Sequence, residues 1–225
     1  MTPVPTRAAY LARWSDLHGG YDPRGAPLVH GWLSVVYVCA RPFAALRVPP
    51  DLMTMLGLVV SGLVVWLAAL GGRWVLGAVV LVVISGLVDG LDGAVAVLTD
   101  RVTRWGHVLD SAVDRCSDAL YLVALWLVGA PAGVCVAAGA VSGLLEDTRA
   151  RAGAGGMSEV GVVTVAERPT RVIITAAFLL GAGLYVSAAA TWAALGAWAW
   201  LGISLVGLGQ LLVVVRRRLS DTAPG

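Results

Sequence analysis

Lysine is missing from this 225-residue chain; all 16 of its basic residues are arginine. With the heavy use of alanine, glycine and valine, this reflects a GC-rich genome and carries no functional information. Charge of either sign is scarce. Only 13% of residues are charged and 58% are hydrophobic, where a soluble domain is about a quarter charged. The polar surface needed to cover a globule in water is absent, and at a mean hydropathy of +0.83 the bilayer is the natural solvent. The net charge of +2 leaves no general case for nucleic acid as a partner. Cysteine is limited to Cys39, Cys116 and Cys135, all in apolar stretches, with no CxxC and no histidine at ligand spacing. That excludes a disulfide framework and a zinc site, and leaves three small buried hydrophobes. Residues 1–27 are polar and rich in proline and glycine, without the early apolar run of a cleavable signal.

What is present is a succession of apolar segments. A membrane-spanning helix needs about 20 mostly apolar residues. Six segments are read as spans: 52–70, 74–98, 105–128, 132–146, 172–190 and 192–215. Residues 28–46 come first; they are apolar but carry His30, Arg41 and Pro42. They are read as an interfacial amphipathic helix, with a seventh span as the alternative. The predicted fold is an all-α integral membrane protein, six transmembrane helices preceded by a cytoplasmic interfacial helix. Its parts are a polar N-terminal segment (1–27), a membrane domain (28–218) and a C-terminal tail (219–225).

Arginine sets the orientation. With both ends cytoplasmic, one side collects Arg41, Arg47, Arg101, Arg104, Arg149, Arg151, Arg168, Arg171 and the run Arg216, Arg217, Arg218, while the other holds only Arg73. The positive-inside rule selects that topology. Trp74 and Trp192 then begin spans at the outer face and Trp105 begins one at the inner face. Pro49-Pro50-Asp51 reads as a stop followed by a helix N-cap. A polar, glycine-rich cytoplasmic loop covers 148–169, a length at which loops are often functional.

The chemistry lies in the acids. Asp89 and Asp92 stand three apart near the cytoplasmic end of the second span, and Asp110 and Asp114 stand four apart just inside the third. Each pair shares one helix face, and a short cytoplasmic turn lets the two faces meet. Ionised carboxylates in a membrane protein need partners, and four together repel one another. A divalent cation removes the repulsion, and hard oxygen ligands suit Mg²⁺ or Mn²⁺. Two such ions clamp both sides of a phosphoryl displacement. Gly90, Gly93, Ala94, Ala96 and Gly106 clear space beside the acids for a bulky group such as a nucleotide.

These residues carry a family pattern. The chain reads Asp89-x2-Asp92-Gly93-x2-Ala96-Val97-x8-Gly106-x3-Asp110-x3-Asp114. It resembles the signature D-x2-D-G-x2-A-R-x8-G-x3-D-x3-D of the CDP-alcohol phosphotransferases, departing at Val97 alone. The resemblance implies an enzyme of phospholipid biosynthesis in a bacterial cytoplasmic membrane, with both termini and the active site on the cytoplasmic side. It would transfer a phosphatidyl group from CDP-diacylglycerol (CDP-DAG) to a small anionic alcohol and release CMP. Two divalent ions, Mg²⁺ or Mn²⁺, would be held by Asp89, Asp92, Asp110 and Asp114, with Asp114 also the general base. Asp92, Gly93, Ala96, Gly106 and Arg104 would bind the CDP moiety. A homodimer is implied as well. Val97 replaces an arginine that contacts the diphosphate in the family; Arg101, Arg104 and Arg115 are the candidates to take its place.

A second cluster, Arg149-Ala-Arg151 and Glu167-Arg168-Pro169-Thr170-Arg171, flanks the long loop. It resembles the branch of the family that uses inositol phosphate as acceptor, and it assigns Arg149, Arg151, Arg168 and Arg171 to the acceptor's phosphate. Positive-inside anchoring is the plainer account of the same residues. Glu146 falls where that branch has serine, so glycerol 3-phosphate stands as the rival acceptor. Asp118 continues the Asp110/Asp114 face and is either a layer behind the acids or a partner of Arg115. His18, His30 and His107 are scattered. Two readings from other classes stand beside the transferase: a cation transporter, from the intramembrane acids, and a non-catalytic scaffold, from Val97.

Overall fold

The computed structural model describes residues 4–17, 19–157 and 163–220. Among them there is no strand. The elements in order are α1 (Arg7–Leu17), a 3₁₀ turn (Pro23–Gly25), α2 (Pro27–Ala45), α3 (Pro50–Leu70), α4 (Trp74–Thr99), α5 (Arg104–Val128), α6 (Ala132–Ala154), α7 (Arg168–Leu184), a 3₁₀ turn (Val186–Ala188) and α8 (Ala189–Ser220). Of the sequence readings, His18, residues 158–162 of the cytoplasmic loop and residues 221–225 of the tail lie outside the described residues.

A helix occupies each of the six segments read as spans. Among the described residues, three stretches are long and apolar enough to cross a membrane: Pro50–Leu70, Trp74–Thr99 and Val186–Arg218. The other helices bring polar groups with them. Asp110, Asp114, Arg115 and Asp118 lie on α5, and Glu146, Asp147, Arg149 and Arg151 on α6. Helix α6 runs two turns past the predicted end at 146, to Ala154, so the connection to α7 is shorter than the sequence suggested. Residues 7–17, read as part of a polar segment, form α1, because Tyr10 and Leu11 supply an apolar stripe that is buried.

The turns show why the helices stop where they do. At α4 the N–H of Arg101 bonds to the carbonyl of Ala96 at 2.8 Å and that of Asp100 to Val97 at 3.4 Å, with Asp100 at φ 54°. This is a Schellman closure, and aspartate tolerates the left-handed position better than most residues. At the other side of the turn, Thr103 Oγ1 accepts from the N–H of Gly106 at 2.9 Å, capping the first turn of α5.

The chain divides into two compact units, Met1–Val60 with Ile84–Cys116, and Ser61–Val83 with Ser117–Gly225. The core of the first is built from Tyr10, Leu11, Leu33, Val36, Met53, Leu91 and Val95, among others, with Trp14 and Val97 packed against it. Helix α1 is tied into this unit. Tyr37 Oη donates to the carbonyl of Pro5 at 2.9 Å, the rings of Tyr10 and Tyr37 lie 5.6 Å apart, and Arg13 reaches Asp100 at 2.5 Å. The second unit has a larger core around Val64, Val82, Tyr121, Leu125, Leu179 and Trp200. Buried hydroxyls join helices there: Ser142 and Ser204 are 2.9 Å apart, and Trp200 Nε1 donates to Ser142 at 2.9 Å. Such hydrogen bonds hold helices together where the surroundings are apolar. Cys135 is buried as expected, whereas Cys116 is exposed.

Gly129 closes α5 with φ 127°, and a Cβ there would meet the Cα of Ala190 at 2.9 Å. Gly129→Ala is therefore expected to destabilise the fold by about 1–3 kcal/mol, seen as a lower unfolding temperature in detergent. An unchanged temperature would contradict this close approach.

Candidate active site

The first unit gathers the signature acids. Asp89 on α4 and Asp110 and Asp114 on α5 each offer a carboxylate oxygen, and these oxygens all lie within 4.8 Å of one another. All three residues are partly buried. The helical offsets account for this. Asp110 and Asp114 are stacked on one face by their spacing of four, and the turn between Thr99 and Arg104 brings that face against Asp89.

Asp92 is placed differently from the other three. It is buried, and both its oxygens accept hydrogen bonds, Oδ2 from Thr54 Oγ1 at 2.6 Å and Oδ1 from the N–H of Gly93 at 2.6 Å. It is nonetheless close enough to feel the charges of Asp110 and Asp89. Carboxylate oxygens accept more than one partner, so these bonds orient Asp92 rather than saturate it.

Helix α3 contributes more than the sequence indicated. The sequence makes Asp51 an N-cap, and its Oδ1 also lies 3.7 Å from where a Cβ on Gly106 would be. Thr54, one turn on, is the hydroxyl that holds Asp92. The offset of three between Asp51 and Thr54 was the available signal, since it puts both on one face.

The glycines separate into two uses. A Cβ on Gly93 would meet nothing within 4 Å, so that position opens to free space beside the acids. A Cβ on Gly90 would meet Val36 at 3.3 Å; this glycine admits α2 rather than a ligand. Ala94 is buried in the core, Ala96 is partly buried, and Arg104 and His107 are exposed at the start of α5.

Oxygens bound to one Mg²⁺ at about 2.1 Å can be no more than about 4.2 Å apart. A trio within 4.8 Å thus fits a divalent ion with a small closure. The donor set, carboxylate oxygen only, is that of a hard cation.

The arginine cluster belongs to the second unit, and Arg149, Arg151 and Arg171 have carboxylate partners. Arg149 forms a two-pronged pair with Glu167 at 2.6 and 3.0 Å. Arg171, 5% exposed, donates to Asp118 at 2.6 Å and to Glu146 at 2.8 Å. Arg151 is exposed and pairs with Asp147 at 2.7 Å. Arg168 opens α7, partly buried. Asp118 therefore pairs with Arg171, on a helix more than fifty residues later, while Arg115 donates to the carbonyl of Ser111 at 2.6 Å. Burial pushes the Glu167 carboxyl up, but hydrogen bonds from Arg149 and Thr164 outweigh it and hold the group below its ordinary value.

Long apolar helices with a carboxylate trio that fits a hard divalent cation describe a membrane protein with a candidate cation site. Comparison with known proteins narrows this further. Residues 47–205 match the family model described as CDP-alcohol phosphatidyltransferase, and the chain belongs to that family. It is 33% identical over 122 residues to the archaetidylinositol phosphate synthase of Aeropyrum pernix, a match spanning 52% of this chain and only about half, 54%, of that one. It is 33% identical over 199 residues to the phosphatidylinositol phosphate synthase of Streptomyces avermitilis, covering 80% of this chain and 79% of the relative. Among solved structures, the phosphatidylinositol phosphate synthase of Mycobacterium tuberculosis with CDP-DAG bound superposes with a TM-score of 0.66 at 27% identity, over 85% of this chain and 96% of that one. The same enzyme in complex with manganese and citrate gives 0.67 at 25% identity, over 84% and 90%.

Two outcomes follow. Arg171→Leu removes the buried cation that Asp118 and Glu146 share and should destabilise the protein by about 3–5 kcal/mol, measured by unfolding in detergent; an effect within error would show that these ion pairs carry no structural load. The second concerns acid. Because Glu167 is held below its ordinary value of 4.5, its contribution is fully present above that pH and lost as pH falls through the lowered value. The stability gap between wild type and Glu167→Gln should be constant at neutral pH and shrink only in acid. A gap that does not change with pH would show that the charge on Glu167 is irrelevant.

Proposed function

We propose that this protein transfers a phosphatidyl group from CDP-DAG to inositol phosphate and releases CMP. The observation that carries the reading is the convergence of Asp89, Asp110 and Asp114 within 4.8 Å inside a signature that the family model covers. Relatives with matching sequences include an archaetidylinositol phosphate synthase and a phosphatidylinositol phosphate synthase, and a solved neighbour has CDP-DAG bound.

Asp89, Asp92, Asp110 and Asp114 would hold two divalent ions, Mg²⁺ or Mn²⁺. When bound, such ions supply positive charge to the diphosphate and its leaving group. Asp92, with Gly93, Ala96, Gly106 and Arg104, receives the CDP moiety, and the open space at Gly93 admits it close to the backbone. Thr54 holds Asp92 in one orientation throughout. Asp114 accepts the proton of the acceptor hydroxyl. The acceptor oxygen attacks the β-phosphorus, the bond to the bridging diphosphate oxygen breaks, and CMP leaves with the electron pair. Arg149, Arg151, Arg168 and Arg171 receive the acceptor's phosphate.

The same reading puts all six helices α3–α8 across a bacterial cytoplasmic membrane, with α2 at its inner surface, both termini cytoplasmic and the aspartates facing the cytoplasm. Residues 28–218 are the membrane domain, and the protein acts as a homodimer. Arginine asymmetry supports the orientation.

The test is CMP release by purified protein from CDP-DAG with Mg²⁺ or Mn²⁺, comparing inositol phosphate with glycerol 3-phosphate. Inositol phosphate should drive metal-dependent release, and Asp114→Asn should lower it about 10²–10⁴-fold. Release driven only by glycerol 3-phosphate would move the protein to that acceptor. No release with either acceptor would return the site to cation transport or scaffolding.

A further inference from the structure

The second unit contains an anion that bridges two guanidinium groups, and that anion is part of the chain. Glu146 gives one oxygen to each arginine, Oε1 to Arg171 Nη2 at 2.8 Å and Oε2 to Arg149 Nη1 at 3.5 Å. Each arginine has a further carboxylate of its own. Arg149 has Glu167, at 2.6 and 3.0 Å, and Arg171 has Asp118, at 2.6 Å. Glu146 is thus the shared acid, whose departure leaves neither guanidinium bare.

Two features say what could take its place. The Nε atoms of Arg149 and Arg171 are buried and make no hydrogen bond among the described residues. Buried donors left unmet are unfavourable, and Glu146, placed with one oxygen on each Nη, leaves both Nε atoms unmet. An anion with three peripheral oxygens, such as a phosphate monoester, can bridge the same pair and answer further donors. The exposure gradient supplies a route. Side-chain exposure runs from 28% and 29% at Arg149 and Glu167, through 11% at Glu146, to 6% at Arg171, so a ligand arrives from the Arg149 side and meets Glu146 before Arg171.

We propose that Glu146 is an internal competitor for the acceptor's phosphate, and that it sets acceptor affinity by holding the bridging position until the phosphate displaces it. The inference rests on the acceptor reading of Arg149 and Arg171 given above. It predicts that the site binds its acceptor more weakly than its two arginines allow. A site held nine-tenths of the time by its own carboxylate loses about tenfold in apparent affinity.

Glu146→Gln and Glu146→Ala, assayed for CMP release in detergent with CDP-DAG and inositol phosphate, should lower KM for inositol phosphate about tenfold. KM for CDP-DAG should stay at the wild-type value. A KM for inositol phosphate that is unchanged or higher in both variants would overturn the proposal and make Glu146 a brace for Arg171. If wild-type protein turns over no acceptor, the functional reading fails separately. Calorimetric titration of inositol phosphate into wild type and both variants then decides this inference: tighter binding by the variants sustains it, and equal or weaker binding overturns it.

Discussion

A carboxylate taken out of water must find positive charge close by, and this chain has little of it. Each unit meets that demand in its own way. In the first, Asp89, Asp110 and Asp114 bring carboxylate oxygens within 4.8 Å of one another, where a compact divalent charge would answer all three at once. In the second, guanidinium groups do the work. Arg171 is 5% exposed and is held between Asp118 and Glu146, and Arg149 is forked onto Glu167. The fixed fork of arginine suits this role better than lysine's mobile ammonium.

Much of the first arrangement was legible in the sequence. Offsets of three and four place acids on one face of a helix whatever lies around them, and a short turn between two such helices leaves few ways to pack. The convergence of Asp89 with Asp110 and Asp114 followed from those constraints. Helix positions were legible for the same reason, since apolar length is a local property. Pairings across elements were not. Nothing local says that Thr54 meets Asp92, or that Asp118 meets Arg171 on α7. Those contacts are set by how helices dock, which depends on side-chain volume along the whole interface. Helix α1 escaped notice because its apolar stripe is short and dispersed among arginine, serine and aspartate, so composition masked it.

Val97 shows how a departure from a motif and a feature outside the motif bear on each other. It packs against the cluster that includes Tyr10 and Leu11 of α1. A charged guanidinium at that position would have to be desolvated against an apolar surface, or turn away from it and leave the cluster underpacked. Valine instead adds apolar contact to that cluster. One turn on, Asp100 holds the left-handed position that ends α4 and receives Arg13 from α1. The exposed ion pair alone contributes little; docking comes mainly from the buried rings and Leu11.

The acids sit on regular helices joined by a closed turn rather than on a long loop. Rigid elements fix side-chain positions more tightly than loops do, and repulsion among carboxylates pushes any flexible support apart before a cation arrives. Here the support is constrained on both sides. The Schellman closure at Asp100 fixes the end of α4, Thr103 caps the start of α5, and Thr54 fixes Asp92 from α3. The site is therefore built to keep its charges close in spite of their mutual repulsion. A divalent cation held by these acids would relieve that repulsion, and its binding would then be coupled to the stability of the α4–α5 turn.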